Sequence, residues 1–415
     1  MRVAGTRGRS GYGERSVRVL VVVNSLGSGG TERSTAVLLP RLVGLGIEPV
    51  VAVLTRRAIG DEGRVRAAGI PVVQLSGASL AAQARSLREL VRDAAPALVH
   101  TAIYEADLVG RLGAAGTGVP VLSSLVNTPY DRARLVDPNV RWPKLQAVRA
   151  VDAATAHLLT THFHAVSEGV ARHAVRALRI PRRRITVVER GRDPDELGRR
   201  TPERRGAARA ALGLADDDQL VLTAGRQEYQ KGHSDLVEAL ALLARRRPRL
   251  RVAIAGREGN ASRALHDAID RTGTAERVLV LGYRDDVAEL LCAADLFVLP
   301  SIYEGTAGAI LEAWALETPV VATRVTGLEG IVTDRRDAWL VAPRSPAALA
   351  TAIDRVLADP GTARRLAVAG RASFVGRFGL DRSAARMAGL YRQVAAGTWA
   401  TGREAPRHGL RGWPR

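Results

Sequence analysis

The chain has 415 residues, of which 46% are hydrophobic, 25% charged and only 4% aromatic, so it is too long for one compact core and suits two domains filled by aliphatic side chains. Its formal net charge is +19, but no helix-turn-helix, zinc-finger or aromatic RNA-binding motif accompanies this charge, which argues against sequence-specific nucleic-acid binding. The single cysteine, Cys292, excludes an intrachain disulfide, and the apolar run 19–23 is too short even for the core of a signal peptide.

Residues 1–15 are mostly Gly, Arg and Ser, which predicts a disordered arm. Short apolar runs rich in β-branched residues follow, and helix-like stretches or turn residues separate them. The first series of predicted strands is 17–23, 49–54, 71–75, 97–101, 119–126 and 163–167, and the second is 219–224, 250–255, 278–281, 296–299 and 319–323. This alternation predicts an α/β protein with two Rossmann-like domains, each built on a parallel sheet.

A stretch rich in Gly, Arg, Asp and Pro near residues 190–206 marks the domain boundary. We predict a first domain at 16–195, a second at 196–378, a C-terminal helix at 379–396 and a disordered tail at 397–415. In such sheets ligands bind beyond the carboxyl ends of the strands, so the chemistry is expected in the loops that follow them.

The first such loop contains Gly27, Gly29 and Gly30 and opens a predicted helix. These glycines let backbone amides approach an anion, although a tight turn is the alternative. The loop is not the dinucleotide fingerprint, because Glu32 stands where the third glycine would fall and the second strand ends without an acid for a ribose hydroxyl.

The second loop carries Arg226 and Lys231, five residues apart across a turn that Gly232 closes. Both cations could reach one pyrophosphate and neutralise a leaving diphosphate. The alternative is a solvated basic loop, but a lysine is unusual here, since Lys144 is the only other one in the chain.

The third loop carries the most specific pattern. Glu304 lies in the loop and Glu312 lies eight residues later on the following helix. A helix beginning near Thr306 to Gly308 would present free amides to phosphate oxygens, and Glu312 could chelate a ribose diol. The alternatives are a helix-start acid for Glu304 and a solvated helix face for Glu312.

These loops together resemble retaining glycosyltransferases of family 4. The likeness rests on the two glutamates with the preceding Pro300-Ser301, the Gly225-Arg226…Lys231-Gly232 loop, the Gly29-Gly30-Thr31-Glu32-Arg33 turn and the runs at 166–168, 295–301 and 319–322. It covers about residues 17–395 and is more specific in the second half. It implies the GT-B arrangement, in which two Rossmann-like domains face each other across a cleft and a C-terminal helix crosses back to the first.

The resemblance also implies roles for individual residues. Arg226, Lys231 and Glu304 would be catalytic, with the two cations on the donor diphosphate and Glu304 facing the donor sugar. The donor-binding set would be Glu312 on the ribose, Thr306, Ala307 and Gly308 on the distal phosphate, Gly282, Tyr283 and Arg284 at the base, and Gly29 and Gly30 from the first domain. The family works without a metal or other cofactor.

Two departures from the family pattern are visible. Many members place a His beside the acceptor after the fifth strand, where this chain has Val126 and Asn127. Asn127 and His100, at a strand end, are therefore the acceptor-side candidates, with a structural role the alternative for His100. The second departure is Glu317, where the family usually has Gly.

We therefore predict a cytoplasmic, hexosyltransferase-type enzyme. It would move a sugar from a nucleotide-sugar donor to a hydroxyl of a glycan, lipid-linked or other cell-envelope acceptor, with retention. A GT-B nucleotide-sugar epimerase and a non-catalytic basic protein for membrane or nucleic acid are the alternatives. The charge is explained either by a GC-rich, arginine-biased sequence or by contact with the inner, anionic face of the membrane. The basic cluster expected to make that contact is Arg172, Arg176, Arg179 and residues 182–184.

Overall fold

The structure is a computed structural model that describes residues 16–306 and 308–399. The predicted arm at 1–15 and residues 400–415 of the predicted tail lie outside these ranges. Residues 397–399 of the predicted tail are within the described ranges. Trp399 packs near His162, with the two ring centroids 4.9 Å apart. The packed chain therefore extends further than the predicted start of the tail.

The first domain is a parallel sheet of seven strands in the order β3-β2-β1-β4-β5-β6-β7. Its strands are β1 (Val17–Val23), β2 (Ile47–Val53), β3 (Val72–Gln74), β4 (Leu98–Ala102), β5 (Val121–Leu125), β6 (His162–Ala165) and β7 (Ile185–Val187). Its helices are α1 (Gly30–Val43), α2 (Glu62–Ala67), α3 (Leu80–Ala94), α4 (Tyr104–Ala114), α5 (Trp142–Leu159) and α6 (Glu168–Leu178).

The second domain is a parallel sheet of six strands in the order β10-β9-β8-β11-β12-β13. Its strands are β8 (Gln219–Ala224), β9 (Leu250–Ala255), β10 (Val278–Gly282), β11 (Leu296–Leu299), β12 (Val320–Thr323) and β13 (Trp339–Val341). The helices that follow α6 in the chain are α7 (Pro194–Leu197), α8 (Pro202–Ala211), α9 (His233–Leu243), α10 (Ser262–Thr272), α11 (Val287–Ala293), α12 (Gly308–Ala315), α13 (Pro346–Ala358), α14 (Pro360–Arg377) and α15 (Leu380–Ala395).

Helices cover both faces of each sheet, so the central strands are apolar along their length rather than alternating. The last five residues of β1 and all of β11 are buried. The predicted α/β class with two Rossmann-like sheets is confirmed. Sequence reasoning missed β7 and β13, which have three residues each and lie at the sheet edges.

The chain crosses between the domains twice, and the two crossings lie side by side. The Arg192 amide donates to the Phe378 carbonyl at 2.9 Å, and the Leu380 amide donates to the Arg192 carbonyl at 2.9 Å. Gly191 allows this approach, because a side-chain carbon there would lie 2.6 Å from the Cα of Leu380. After the second crossing, α15 packs Met387 and Tyr391 into the first domain's core.

Within the described residues, no helix is both long and apolar enough to cross a bilayer.

Candidate active site

A buried cluster forms where β8 and β11 end, and Glu304 is at its centre. The side chain of Glu304 is almost fully enclosed. Its carboxylate accepts hydrogen bonds from the Lys231 ammonium, from Ser301 Oγ at 2.8 Å and from Gln230 Nε2 at 3.3 Å. Two loops that sequence reasoning identified separately therefore meet at one carboxylate. A cation and a carboxylate stand together where two parallel strands end.

Gly232 fixes the position of Lys231. Residues Tyr229–Lys231 form a single 3-10 turn, and Gly232 ends it with φ +62°. A side-chain carbon at Gly232 would lie 2.2 Å from the Pro300 carbonyl oxygen. Only glycine meets both the backbone angle and the close approach, so the loop of Lys231 is held tightly against the loop of Glu304.

Arg226 does not join this cluster. Its guanidinium donates to Glu228 Oε1 at 2.9 Å, and about half of the side chain (49%) is exposed. The stem of Lys231 passes over Gly225, where a side-chain carbon would lie 3.1 Å from Lys231 Cε. The structure thus brings Lys231, but not Arg226, to the Glu304 carboxylate.

Glu312 lies on α12 and is buried, so the alternative of a solvated helix-face residue is wrong. Its Oε1 accepts from Arg192 Nε at 2.7 Å, and both side chains are more than nine-tenths enclosed. Arg192 also donates to Ser34 Oγ on α1 at 3.3 Å. This arginine therefore ties the first helix of one domain to the glutamate helix of the other.

The start of α12 is partly covered. The helix begins at Gly308, where a side-chain carbon would lie 1.9 Å from Arg192 Nη2. Two residues earlier, the Thr306 hydroxyl is buried and has no hydrogen-bond partner within the part of the chain that the structure describes. A buried hydroxyl without a partner is costly unless a ligand satisfies it. Ala307, the remaining predicted phosphate contact, lies outside the described residues.

The predicted base-contacting segment follows β10. Gly282 ends that strand with φ +66°, and its carbonyl accepts from the Gly256 amide at 2.7 Å. The ring of Tyr283 is half exposed. Arg284 is held by Asp286, with Nε 2.7 Å from Oδ1, and this hydrogen bond raises the pKa of Arg284. Tyr283 is therefore the residue of this segment whose side chain is available to a ligand.

The glycine turn of the first domain presents an open helix start. Gly29 caps α1, and the Glu32 carboxylate folds back over it, since a side-chain carbon at Gly29 would lie 2.2 Å from Glu32 Oε2. Gly30 has open space beside it, with no atom within 4 Å of a side-chain carbon placed there. A ligand can approach the N-terminus of α1 at this residue.

His100 has a partner at each ring nitrogen. Nε2 lies 2.6 Å from Ser124 Oγ, and Nδ1 lies 2.7 Å from the Tyr391 hydroxyl. Burial lowers the pKa of His100 to about 3, so the ring is neutral near pH 7. This geometry favours the structural alternative over acceptor-side chemistry, and Tyr391 on α15 is the partner that ties the final helix to β4.

The segment after β5 contacts the loop of Glu304 directly. A side-chain carbon at Gly305 would lie 2.0 Å from the Val126 carbonyl oxygen and 2.6 Å from the Cα of Asn127, whose own side chain is exposed. Thr128 Oγ1 donates to the Glu304 carbonyl at 3.2 Å. The predicted acceptor-side segment of the first domain thus lies against the Glu304 loop of the second.

Sequence reasoning missed Arg190, Arg192 and Thr128. Both arginines lie between the domains, and the contact of Arg192 with Glu312 joins residues that are 120 positions apart in the chain. In a chain whose cations are nearly all arginine, neither residue stands out. The one available signal was their place on either side of Gly191 in the predicted boundary.

Solved structures share this architecture. A UDP-glucose complex of HepE from Anabaena superposes with a TM-score of 0.80 at 21% identity, covering 91% of this chain and 99% of that one. Sucrose-phosphate synthase from Thermosynechococcus elongatus gives 0.79 at 22% identity, covering 92% and 100%. Two Rossmann-like domains that face each other in this way define the GT-B fold of glycosyltransferases.

Sequence relatives define the family. The model described as Glycosyltransferase Family 4 matches residues 28–196, and that described as Glycosyl transferases group 1 matches residues 204–373. An alpha-D-kanosaminyltransferase of Streptomyces kanamyceticus is 30% identical over 63% of this chain and 65% of its own length. A D-inositol 3-phosphate glycosyltransferase of Xylanimonas cellulosilytica is 34% identical over 72% of each. The chain belongs to glycosyltransferase family 4. This membership favours an enzyme over the alternative of a non-catalytic basic protein.

Proposed function

We propose that this glycosyltransferase moves a sugar from a nucleoside-diphosphate sugar to an acceptor hydroxyl, with retention of the anomeric configuration and without a metal. The contact between Lys231 and the buried Glu304 carries the proposal. It puts a cation where a leaving diphosphate gains charge, next to a carboxylate where a sugar ring becomes positive. The UDP-glucose complex of HepE supports a nucleotide-sugar donor.

The donor would bind mainly to the second domain. Tyr283 offers a ring face to the base, Glu312 can accept from the ribose, and the start of α12 with the Thr306 hydroxyl can hold the distal phosphate. Within the described residues Lys231 donates one hydrogen bond, to Glu304, so two of its three N–H donors remain for phosphate oxygens. These positive groups would supply the charge that a metal supplies in other transferases.

The acceptor would bind mainly to the first domain. Asn127 is exposed next to Gly305, so its side chain is available to an acceptor group. The contact between Thr128 and Glu304 would align the acceptor hydroxyl with the anomeric carbon and keep water out. Relatives named for inositol 3-phosphate and for lipopolysaccharide core biosynthesis support a polyhydroxyl or cell-envelope acceptor.

A nucleotide panel tests the donor class. Purified protein is heated with ADP, GDP, UDP, CDP and dTDP, and the nucleotide that binds should raise the melting temperature by mass action. The matching nucleotide sugar is then supplied alone. Slow hydrolysis to free sugar and nucleoside diphosphate, with no new nucleotide sugar, supports a transferase, whereas conversion of the donor to another nucleotide sugar would support an epimerase. No shift with any diphosphate would contradict the proposal.

A peripheral contact with anionic membrane is a further proposal, and the structure narrows its residues. Within the predicted basic cluster, Arg172 bonds Glu329, Arg182 bonds Glu168 and Arg184 bonds the Thr160 carbonyl. The remaining exposed cations of this cluster are Arg176, Arg179 and Arg183. These three, rather than all six, are the ones able to bind lipid phosphate.

Liposome flotation tests this surface. The wild type should float with anionic vesicles at low salt and not with neutral ones, because screening weakens exposed charges. A variant with the three exposed arginines changed to Gln should float less. The matched control changes Arg245, Arg263 and Arg364 of the second domain to Gln. Equal flotation of the two variants would mean that this surface has no special role in lipid binding. The net positive charge would then be explained by the arginine-biased sequence.

A further inference from the structure

Arg190 faces a cavity that the proposed roles leave unused. The cavity lies beyond the carboxyl ends of β4, β5 and β6, is open to solvent and has a volume of about 50 Å³. Helices α1 and α15 form its other walls, with Thr31 and Ser34 among the polar lining groups. In the sheet order the neighbours β1 and β4 mark the point where the winding direction reverses, which is the usual ligand position in such folds.

Arg190 is partly buried, and its guanidinium has few protein partners. Within the described residues it forms one hydrogen bond, from Nη2 to Thr31 Oγ1 at 2.9 Å, and no ion pair. Arg111, which is almost fully buried, is by contrast bound by Asp152 at 2.7 Å and by Thr155 at 3.0 Å. Arginine has five N–H donors, so Arg190 keeps most of its donors for a ligand.

Arg190 lies where the two domains meet, because it binds Thr31 of the first domain and Arg192, two residues later, binds Glu312 of the second. Burial, and then the neighbouring charge of Arg192, lower the pKa of Arg190 to about 10, while the Glu32 and Glu304 carboxylates act in the opposite direction. Neither carboxylate hydrogen-bonds it. The side chain is thus a cation at neutral pH, beside the first turn of α1 and within electrostatic reach of Glu304 in the other domain.

A phosphate is the ligand that fits these donors. A planar guanidinium with free donors matches phosphate oxygens, and the nearby helix start at Gly30 favours an anion. In the second domain, Arg226 binds Glu228 in this structure, so Lys231 is the predicted cation that lies at the Glu304 carboxylate.

We propose that Arg190 binds the distal phosphate of the donor from the first domain, opposite Lys231. This inference rests on the proposed nucleotide-sugar donor. One phosphate then contacts a cation from each domain, Lys231 and Arg190, so donor binding is coupled to closure of the cleft. Arg190 also stabilises the negative charge of the leaving diphosphate.

Calorimetry with a nucleoside diphosphate and the matching monophosphate tests this role. The diphosphate is the one that binds the wild type best in the nucleotide panel. Arg190→Gln should weaken the diphosphate about tenfold or more and the monophosphate less than about twofold, because only the distal phosphate loses a partner. Arg190→Lys keeps the positive charge but not the planar guanidinium with its several donors. It should show a smaller loss of affinity, again for the diphosphate alone. Arg263→Gln, on the exposed face of α10, is the control and should bind both as the wild type does.

The outcomes separate this inference from the proposed function. If the wild type binds no nucleoside diphosphate, the proposed function fails. If the wild type binds and Lys231→Ala weakens it, but Arg190→Gln and Arg190→Lys bind like the wild type, only the role of Arg190 is overturned. An equal loss for mono- and diphosphate would also overturn it, and so would an unchanged diphosphate affinity with a raised acceptor KM. If Arg190→Gln does not fold, as judged by its melting curve, Arg190→Lys decides the question.

Discussion

Lys231 and Glu304 form an ion pair between two loops that follow neighbouring parallel strands, β8 and β11, of one sheet. Glu304 is almost fully buried, whereas about a fifth of the Lys231 side chain (21%) remains exposed. A carboxylate enclosed in this way is stable as an anion only with such partners. The pair therefore gives the enclosed carboxylate a compensating charge before any ligand arrives, and it leaves the open side of the ammonium to a phosphate.

Glu312 is expected to recognise the ribose of the donor. Glu312→Gln keeps an oxygen for Arg192 but removes the charge, and we expect nucleoside-diphosphate binding to weaken by about 1–3 kcal/mol because a ribose hydroxyl donates to a poorer acceptor. Calorimetry measures the loss. The matched ligand control is a 2′,3′-dideoxynucleoside diphosphate, for which wild type and variant should bind alike. The same loss for both ligands would remove the assignment to the ribose.

Gly305 is expected to set the distance between the domains. Gly305→Ala puts a carbon 2.0 Å from the Val126 carbonyl oxygen, a backbone atom that moves only with its strand. We expect the contact to open and kcat to fall by about 10²-fold, since small misplacements of reacting groups cost this much. Small-angle scattering should show a larger radius of gyration. Gly376→Ala on α14 meets no atom within 4 Å and is the control. Wild-type turnover in Gly305→Ala would show that the contact is not needed.

His100 is expected to make the fold sensitive to acid. Its pKa is lowered to about 3 in the fold, so below about pH 6.5 the unfolded chain binds a proton that the folded chain does not, and stability falls as pH falls. His164, with a pKa lowered to about 4, acts in the same direction. Asp107, with a pKa raised to about 6, acts in the opposite one.

Urea denaturation of the wild type and of His100→Gln, near pH 7 and about pH 4.5, isolates this contribution. Gln can retain hydrogen bonds to Ser124 and Tyr391 but cannot take up the proton. The free energy of unfolding of the variant should drop less on acidification, by on the order of 2 kcal/mol. An equal drop in both proteins would show that other groups control the acid response.

The layout of the strands could be predicted from the sequence because buried parallel strands are long apolar runs. Four strands have the predicted bounds, and the other predicted strands differ by a few residues: the four are Val17–Val23, Gln219–Ala224, Leu250–Ala255 and Leu296–Leu299. The short edge strands β7 and β13 carry too little pattern to be found this way. Glu317, where the family usually has Gly, keeps the turn with φ +53°, a backbone angle that favours glycine.

The site was predictable where its residues are close in sequence. Glu304 and Glu312 lie eight residues apart across a strand–loop–helix unit, so the pattern predicts a loop position for the first and a helix position for the second, while the burial of Glu312 came only from the structure. Contacts between distant segments were not predictable, as the pair of Arg192 with Glu312 shows. The direction of a flexible side chain could not be predicted either. Arg226 forms a local ion pair with Glu228 and does not reach the Glu304 cluster.

Lys231 and Glu304 should act on opposite charges of one transition state. Lys231→Ala removes a cation from the departing diphosphate and should lower kcat by about 10²–10³-fold, as the loss of one oxyanion donor does. Lys231→Arg keeps the charge, but a wide guanidinium does not fit the place of an ammonium held between Gly225 and Glu304. We expect a clear loss of turnover there as well. Full activity in Lys231→Arg would show that the position needs only a positive charge.

The turnover of Glu304→Gln, measured together with its donor affinity, tests the central claim most directly. Gln retains the size of the side chain and keeps an acceptor oxygen for Ser301, so the donor should bind as it does in the wild type. The charge beside the sugar ring is lost, so kcat should fall steeply while donor Kd changes little. Wild-type kcat in a folded Glu304→Gln protein would contradict the catalytic assignment of the pair.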